Sequence, residues 1–492
     1  MNSHLPILQV IIPLMAAPVC IILRRAEWVW GLTVLVTWAV FGMTTTVVID
    51  VLNNGTIDYF IGDWPAPWGI AFRIDELSAY VLLIVSLIGA VVASYARASV
   101  IKEIPEDRHY LFYTNYLLCL TGLLGMTATG DAFNLFVFLE ISSLSGYTLI
   151  ALGSDKRALT ASYRYLVLGT IGATFYVIGL GLMYMMTGTL NMADLAERLP
   201  DVVATRTILV SLAFLTVGLS LKVALFPLHL WLPNAYTYAP SVVTAFMAAT
   251  ATKVAVYVMI RIFYFVFGGT DVFAEQGVAE VIMGLAIAGM FIASIVAVFQ
   301  SNLKKMLAYS SVAQIGYIML GISLVSVSGL SAGLVHLFNH ALIKCALFLA
   351  LGCVFLRLGS VEIKDMAGIG KRMPLTMGAF VIGGLSLIGI PLTVGFVSKW
   401  QLMNAAFEAN LWPVALLIPL SSLIAVVYIW RVIEVAYLQP IPASAPSVKE
   451  APLSMLIPTW GVALAAVYFG IDTDLTLGVA IDAAQSLMGG GQ

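Results

Sequence analysis

The chain has 492 residues; 61% are hydrophobic, 10% are charged, and the formal net charge is −2. Because a soluble protein carries roughly 25% charged residues, this composition excludes a soluble globular protein. The nearly neutral charge, without a run of basic residues, gives no indication of a nucleic-acid partner.

Apolar stretches of about 20 residues, the length that crosses about 30 Å of hydrocarbon, recur from one end of the chain to the other. They predict an all-α polytopic membrane protein with about fourteen transmembrane helices. The predicted spans are residues 5–23, 28–50, 75–95, 112–129, 132–153, 160–187, 206–237, 241–266, 278–300, 306–324, 330–356, 375–408, 412–438 and 453–470. The first is expected to be a retained helix, because Arg24 and Arg25 follow its apolar run instead of preceding it.

The seventh and twelfth predicted spans are too long for one straight crossing, and both contain proline. Pro227 lies five residues after Lys222, and Pro391 lies eight residues before Lys399. Proline frees backbone carbonyl groups, which are tolerated inside a membrane only beside protein or a hydrated cavity. Both spans are therefore predicted to be broken helices.

Spans 4–8 and 9–13 each contain five helices, and the predicted broken helix is the fourth of each set. Because five is an odd number, the second set must cross the membrane in the opposite sense, which predicts two inverted repeats. The predicted units are helices 1–3 (1–111), the first repeat (112–266), the second repeat (278–438), and a linker with helix 14 (439–492). We expect two half-channels, one opening to each side, joined by a polar row at the midplane.

Lysine and arginine are concentrated in the loops that follow odd-numbered spans. These residues are Arg24, Arg25, Arg97, Lys102, Arg108, Lys156, Arg157, Lys304, Lys305, Arg357, Lys364, Lys371, Arg372 and Lys449. The loops after even-numbered spans hold few basic residues and are mostly acidic. By the positive-inside rule the first group of loops faces the cytoplasm, so both termini face outward.

Ionisable side chains inside a bilayer are costly and usually functional, so those within the spans form the candidate site. They are Glu140, Lys222, Lys253, His336, His340, Lys344 and Lys399. A single buried lysine can form a static ion pair, but one carboxylate cannot pair with four lysines and two histidines. The remaining bases are expected to be neutral, hydrated or alternately protonated, which suits proton conduction.

His336, His340 and Lys344 are spaced four residues apart and share one helical face, which predicts a relay over about 12 Å of depth. A histidine pair at this spacing can also bind zinc, but the stretch reads HLFNH and lacks the glutamate of HExxH. The sequence contains neither a nucleotide-binding glycine pattern nor a cysteine–histidine cluster. We therefore expect neither a cofactor nor a metal in this polypeptide.

Four other charged residues are interpreted as structural. Arg261 and Arg431 are expected to extend toward the membrane interface, and Glu434 to pair with Arg431. Asp131 is expected to cap the fifth helix.

These residues lie in segments that resemble the antiporter-like membrane subunits of respiratory complex I, membrane-bound hydrogenases and Mrp-type cation/proton antiporters. The matching segments, in chain order, are residues 133–141, 220–261, 302–317, 333–348 and 389–400. Within this family the chain is most similar to the D-type member of Mrp antiporters (MrpD), because it ends soon after the fourteenth span and has Lys399 where some relatives have glutamate.

The resemblance implies a role for each residue of the row. In the family, a glutamate on the fifth helix pairs with a lysine on the broken seventh. A lysine on the eighth helix and a histidine on the eleventh connect this pair to a charged residue on the broken twelfth. In this sequence those positions are Glu140, Lys222, Lys253, His336 or His340, and Lys399.

The function that the resemblance implies is that of a proton-translocating subunit of a multisubunit Na⁺/H⁺ antiporter in the bacterial inner membrane, with other membrane subunits as partners. The alternative is a proton-pumping subunit of a redox complex, either NADH–quinone oxidoreductase or a membrane-bound hydrogenase. The chain is expected to be a transporter subunit, and a translocase subunit only in the redox case. Glu140 and Asp131 form a poor oxygen-ligand set for a cation, so the cation path is expected in another subunit. An autonomous symporter or a scaffold fits less well, and ion selectivity stays open.

Overall fold

The computed structural model of the protein describes residues 4–442 and 447–489. Within these ranges, 13 helices are long and apolar enough to cross a membrane. Spans one to six are Leu5–Leu23, Ala26–Asn54, Glu76–Glu103, His109–Ala128, Ala132–Ala151 and Lys156–Thr187. Spans eight to eleven are Ser241–Val266, Val278–Val298, Leu303–Ser323 and Val327–Leu358, and the last two are Trp412–Leu438 and Leu453–Ile471.

The seventh and twelfth spans are broken, as predicted. The seventh consists of Arg206–Val223 and Leu232–Tyr238, and Ala224 ends its first half in the left-handed conformation with φ 61°. The twelfth consists of Pro374–Ile388 and Val394–Glu408, separated at Gly389, whose φ is 95°. Arg206–Val223 is one of the 13 helices counted above, so the twelve unbroken spans and the two broken ones give fourteen crossings in the described part of the chain. The prediction of an all-α polytopic membrane protein is confirmed.

The two sets of five helices share a backbone feature at equivalent positions. Asp131, before the fifth span, forms an antiparallel bridge with Asn191, after the sixth. Asn302, before the tenth span, forms the same bridge with Glu362, after the eleventh. These spans are the second and third helices of each set, which is the correspondence that two inverted repeats require. The unit boundaries 1–111, 112–266, 278–438 and 439–492 stay a prediction.

The loops separate into two faces. One cavity is lined by the loops after the third, fifth, seventh, ninth and eleventh spans, and we call this side the basic face. Another is lined by residues that follow the second, sixth, eighth and fourteenth spans, and we call this side the acidic face. The third, fourth, eighth, tenth and eleventh spans are mostly buried and form the core between the two faces.

One pair of strands and two helices of the acidic face were not predicted. The strands Ile57–Phe60 and Ala71–Ile74 pair antiparallel in the loop after the second span. The helix Met192–Val202 follows the sixth span, and its start is capped by the Asn191 side chain. The helix Asp474–Met488 follows the last span and packs on the third and eleventh spans.

Candidate functional site

Glu140 and Lys222 form a loose ion pair at the start of the buried row. Glu140 Oε1 lies 3.9 Å from Lys222 Nζ, which is too long for a hydrogen bond. Lys222 Nζ instead donates to Ser143 Oγ at 2.9 Å, and Glu140 Oε1 has no hydrogen-bond partner among the described residues. Lys222 is buried, whereas the Glu140 side chain is 28% exposed. The pair can therefore open without breaking a direct hydrogen bond.

A cavity of about 30 Å³ adjoins Lys222 and Ser143. Ala251 and Ala255 of the eighth span also line it. This volume accommodates one water molecule beside two polar groups. The cavity therefore extends from the seventh span toward the helix that carries Lys253.

Lys253 lies at an interruption of the eighth span. Thr250 leaves the helical conformation, with φ −123° and ψ −58°. Lys253 Nζ donates to the backbone carbonyl of Ala248 on the other side of this interruption, and also approaches Thr252 Oγ1 at 3.4 Å. The buried ammonium group is thus held by neutral oxygens, not by a carboxylate.

The three predicted relay residues of the eleventh span are all fully buried. His336 Nδ1 is hydrogen-bonded to Ser398 Oγ at 2.8 Å, and its Nε2 to Gln314 Oε1 at 2.9 Å. The ring of His340 stacks on that of His336 with centroids 6.2 Å apart, but neither of its nitrogens has a partner among the described residues.

Lys344 ends this row toward the basic face. Its Nζ donates to the Leu307 carbonyl at 2.9 Å and also to Ser310 Oγ. Like Lys253, it is satisfied by neutral oxygens, here those of the tenth span, and has no carboxylate partner among the described residues.

Lys399 lies beside the break in the twelfth span. Its Nζ donates to the carbonyl groups of Leu387 and Ile388 and to Ser422 Oγ, each at 2.9 Å. The two carbonyls belong to the end of the helix Pro374–Ile388, where the helix dipole is negative. The helix end therefore stabilises the ammonium group where a carboxylate would otherwise be needed.

The structure brings Glu140 within ion-pair distance of Lys222 and stacks His336 on His340. The other predicted residues each meet hydroxyl or backbone oxygens. We did not predict these polar partners, which are Ser143, Ser310, Gln314, Ser398 and Ser422. Serine is frequent throughout the spans, so only its position relative to a buried base, such as Ser143 three residues after Glu140, could have indicated it.

Of the four charges interpreted as structural, Asp131 is confirmed as a helix cap, accepting from the backbone of Phe133 and Asn134 at 3.0 and 2.7 Å. The prediction for Arg261 is wrong, because its side chain is 3% exposed and forms a bidentate ion pair with Asp75.

The predicted pairing of Arg431 with Glu434 is also wrong. Arg431 Nη1 donates to the carbonyls of Val298 and Gln300 at the end of the ninth span. These carbonyls have no partner within their own helix end, so they compete successfully for the guanidinium group. The described part of the chain contains no group of three or more His, Cys, Asp or Glu that could hold a metal ion.

Comparisons with known proteins relate this arrangement to one family. A family model described as NADH:quinone oxidoreductase/Mrp antiporter, transmembrane, matches residues 129–425. The NADH-quinone oxidoreductase subunit N of Desulforudis audaxviator is 43% identical over 487 residues, 96% of either chain. The D-type Na⁺/H⁺ antiporter subunit of Alkalihalophilus pseudofirmus is 32% identical over 408 residues, covering 82% of this chain and 81% of that protein. A chain of the Mrp complex from a Dietzia species superposes with a TM-score of 0.92 at 26% identity, covering 100% of this chain and 98% of that one.

Proposed function

Because the chain belongs to the family of NADH:quinone oxidoreductase/Mrp antiporter membrane subunits, we propose that it is the proton-translocating subunit of a multisubunit Na⁺/H⁺ antiporter. Protons move along the row that begins at Glu140 and Lys222, continues through Lys253 and the eleventh span, and ends at Lys399. The observation that carries this proposal is a series of buried bases whose four lysines are held by neutral oxygens, with one carboxylate 3.9 Å from the first lysine. Static ion pairs would not leave Lys253, Lys344 and Lys399 without carboxylate partners in the part of the chain that the structure describes.

The first step is a switch at Glu140. At about 4 Å two unit charges attract each other by about 4 kcal/mol at an effective dielectric constant of about 20. Moving one charge through 100 mV corresponds to about 2.3 kcal/mol. Opening the pair therefore changes the energy of a proton on Lys222 by an amount comparable to the energy of moving that proton through the membrane potential.

The second step uses the hydroxyl partners. When Glu140 moves away, Ser143 keeps Lys222 Nζ in place, and a water molecule in the adjoining cavity connects it toward the eighth span. The positive charge that remains raises the energy of a proton on Lys253 and favours its transfer to the eleventh span. His340, whose ring nitrogens are free among the described residues, is the carrier we assign between Lys253 and the twelfth span.

The positive-inside rule orients the basic face toward the cytoplasm, so that both termini face outward, in the inner membrane of a bacterium. The partners are other membrane subunits of the antiporter. A carboxylate that is 28% exposed within a span is costly in lipid, which supports a neighbouring subunit beside Glu140. The cation crosses in one of those subunits.

The direct test compares two lysine variants of the full complex in inverted membrane vesicles with a pH-sensitive dye. Lys222→Ala is expected to abolish proton movement on addition of Na⁺ or K⁺. Lys449→Ala removes an exposed lysine outside the spans and is the matched control. Normal transport by Lys222→Ala at wild-type abundance would overturn the proposal.

A second candidate is a proton-pumping subunit of a redox complex. It is favoured by the 43% identity with a protein named NADH-quinone oxidoreductase subunit N. In that case electron transfer in partner subunits would drive the same row of bases. Mass spectrometry of proteins that co-purify with the tagged chain in mild detergent separates the two: iron–sulfur subunits support the redox complex, and small membrane subunits without them support the antiporter.

A further inference from the structure

The eighth span carries a second polar row that continues from Lys253 to the acidic face. Lys253, Tyr257 and Arg261 are four residues apart and lie on one side of the helix. All three are buried. This row leads away from the basic face, and it is separate from the route through the eleventh span.

Tyr257 and Arg261 are joined by hydrogen bonds. Arg261 Nη2 donates to the Tyr257 hydroxyl at 3.2 Å, and that hydroxyl donates to the Thr127 carbonyl at 2.8 Å. Ser78 Oγ lies 3.0 Å from the same hydroxyl and accepts from Arg261 Nη2 at 2.8 Å. The third, fourth and eighth spans therefore meet around Tyr257.

Asp75 closes the row at its outer end. Arg261 Nη1 and Nη2 donate to Asp75 Oδ2 and Oδ1 at 2.6 and 2.7 Å. Asp75 also lines a cavity of about 590 Å³ at the acidic face, which is bounded on another side by Ser486 and Met488 of the C-terminal helix. The ion pair thus forms the boundary between this cavity and the buried row.

A buried ion pair contributes little net stability, because the desolvation of both charges offsets their attraction. A permanent anchor between the third and eighth spans would not need a cavity above it or the buried hydroxyl groups of Ser78 and Tyr257 below it. We propose that Asp75 and Arg261 form a gate that closes a proton exit from Lys253 to the acidic face. This rests on the proposed function, since Lys253 must carry a proton.

The route conserves charge at each step. While the gate is closed, the permanent positive charge of Arg261 repels a proton arriving from Lys253. When Arg261 moves off Asp75, Lys253 Nζ leaves the Ala248 carbonyl and releases a proton to water between its side chain and Tyr257. Tyr257 accepts that proton and releases its own, past the opened pair, to water in the cavity beside Asp75.

The test removes both charges together, with Asp75→Asn and Arg261→Gln in one chain of the full complex. In vesicles with an imposed pH gradient and no transported cation, this double variant is expected to leak protons about tenfold faster than wild type. The reason is that the repulsion of a proton by a buried charge raises the barrier by more than the free energy that corresponds to a tenfold change in rate. Adding Lys253→Ala or Tyr257→Phe is expected to return the leak to the wild-type rate. Asp194→Asn with Arg198→Gln, which removes a more exposed pair on the same face, is the control and should leave the leak unchanged.

A wild-type leak from the double variant at wild-type abundance would overturn the gate, and a leak that persists with Lys253→Ala would overturn the route. If the double variant does not assemble, Arg261→Lys is measured instead. It keeps the charge but loses the bidentate contact, and it is expected to leak faster than wild type; an unchanged leak overturns the gate. If the wild-type complex shows no cation-coupled proton movement, the proposed function is refuted. If the wild-type complex couples normally and the double variant leaks no faster than wild type, only the gate is refuted.

Discussion

The ammonium group of Lys399 lies 2.9 Å from the Leu387 carbonyl oxygen, across the break in the twelfth span. The break exposes carbonyl groups at a helix end, and their partial negative charge holds the lysine without a carboxylate. A proton on Lys399 is therefore stabilised by a fixed backbone dipole that no other ionisable group has to share. Replacing Lys399 tests whether the helix dipole at this position stabilises a cation.

We expect Lys399→Gln to assemble and to lose cation-coupled proton transport, because an amide donates to these carbonyls but carries no proton across. Lys399→Glu should also lose abundance, since a carboxylate would face the negative end of the helix Pro374–Ile388. Both effects are measured by vesicle transport and by the amount of complex recovered in mild detergent. Transport by the glutamate variant at the wild-type rate would contradict the assignment.

Ser143 is predicted to control how easily the Glu140–Lys222 pair opens. Ser143→Ala removes the 2.9 Å hydrogen bond of Lys222 and leaves Glu140 as its main partner. A hydrogen bond to a charged group contributes about 1.5–3 kcal/mol, so transport should fall about tenfold or more. Ser145→Ala is the matched control, because Ser145 Oγ donates only to the Ile141 carbonyl within the same helix. Equal transport by the two variants would remove Ser143 from the mechanism.

Much of the fold followed from the sequence because the bilayer imposes simple rules. Span length and proline predicted the crossings and both breaks, whereas the orientation inferred from lysine and arginine stays a prediction. Arg261 was misinterpreted because its partner, Asp75, is 186 residues away, and hydropathy does not show which side chains meet. The buried bases could be identified from the sequence because a lysine within a span is rare. Their serine partners could not, because serine is common within the spans.

The two histidines of the eleventh span should differ in transport. His336 is held at both nitrogens by Ser398 and Gln314, whereas His340 has free nitrogens among the described residues. A base that is free to exchange its proton with water is the better carrier, so His340→Gln should reduce transport more than His336→Gln. The ratio of transport rate to abundance is the measurement. A larger transport loss from His336→Gln, at equal abundance, would assign the relay to His336.

Gly395 is predicted to be essential for the geometry of the twelfth span. A Cβ atom at this position would lie 1.7 Å from the Ser386 carbonyl oxygen, because the two halves of the broken helix pass very close to each other. A backbone oxygen cannot rotate away as a side chain can, so Gly395→Ala should cost at least about 1–3 kcal/mol of stability. Any shift that relieves the overlap also moves Lys399, one turn further along, relative to Leu387 and Ile388.

The matched control for Gly395→Ala is Gly461→Ala in the fourteenth span, where an added Cβ meets no atom within 4 Å. Since alanine favours a helix over glycine by about 1 kcal/mol, this control should be neutral or slightly stabilising. The thermal stability of the detergent-purified complex, followed by gel filtration after heating, separates the two variants. Equal stabilities would mean that the halves of the twelfth span can separate without loss, and the helix end would then no longer be a fixed support for Lys399.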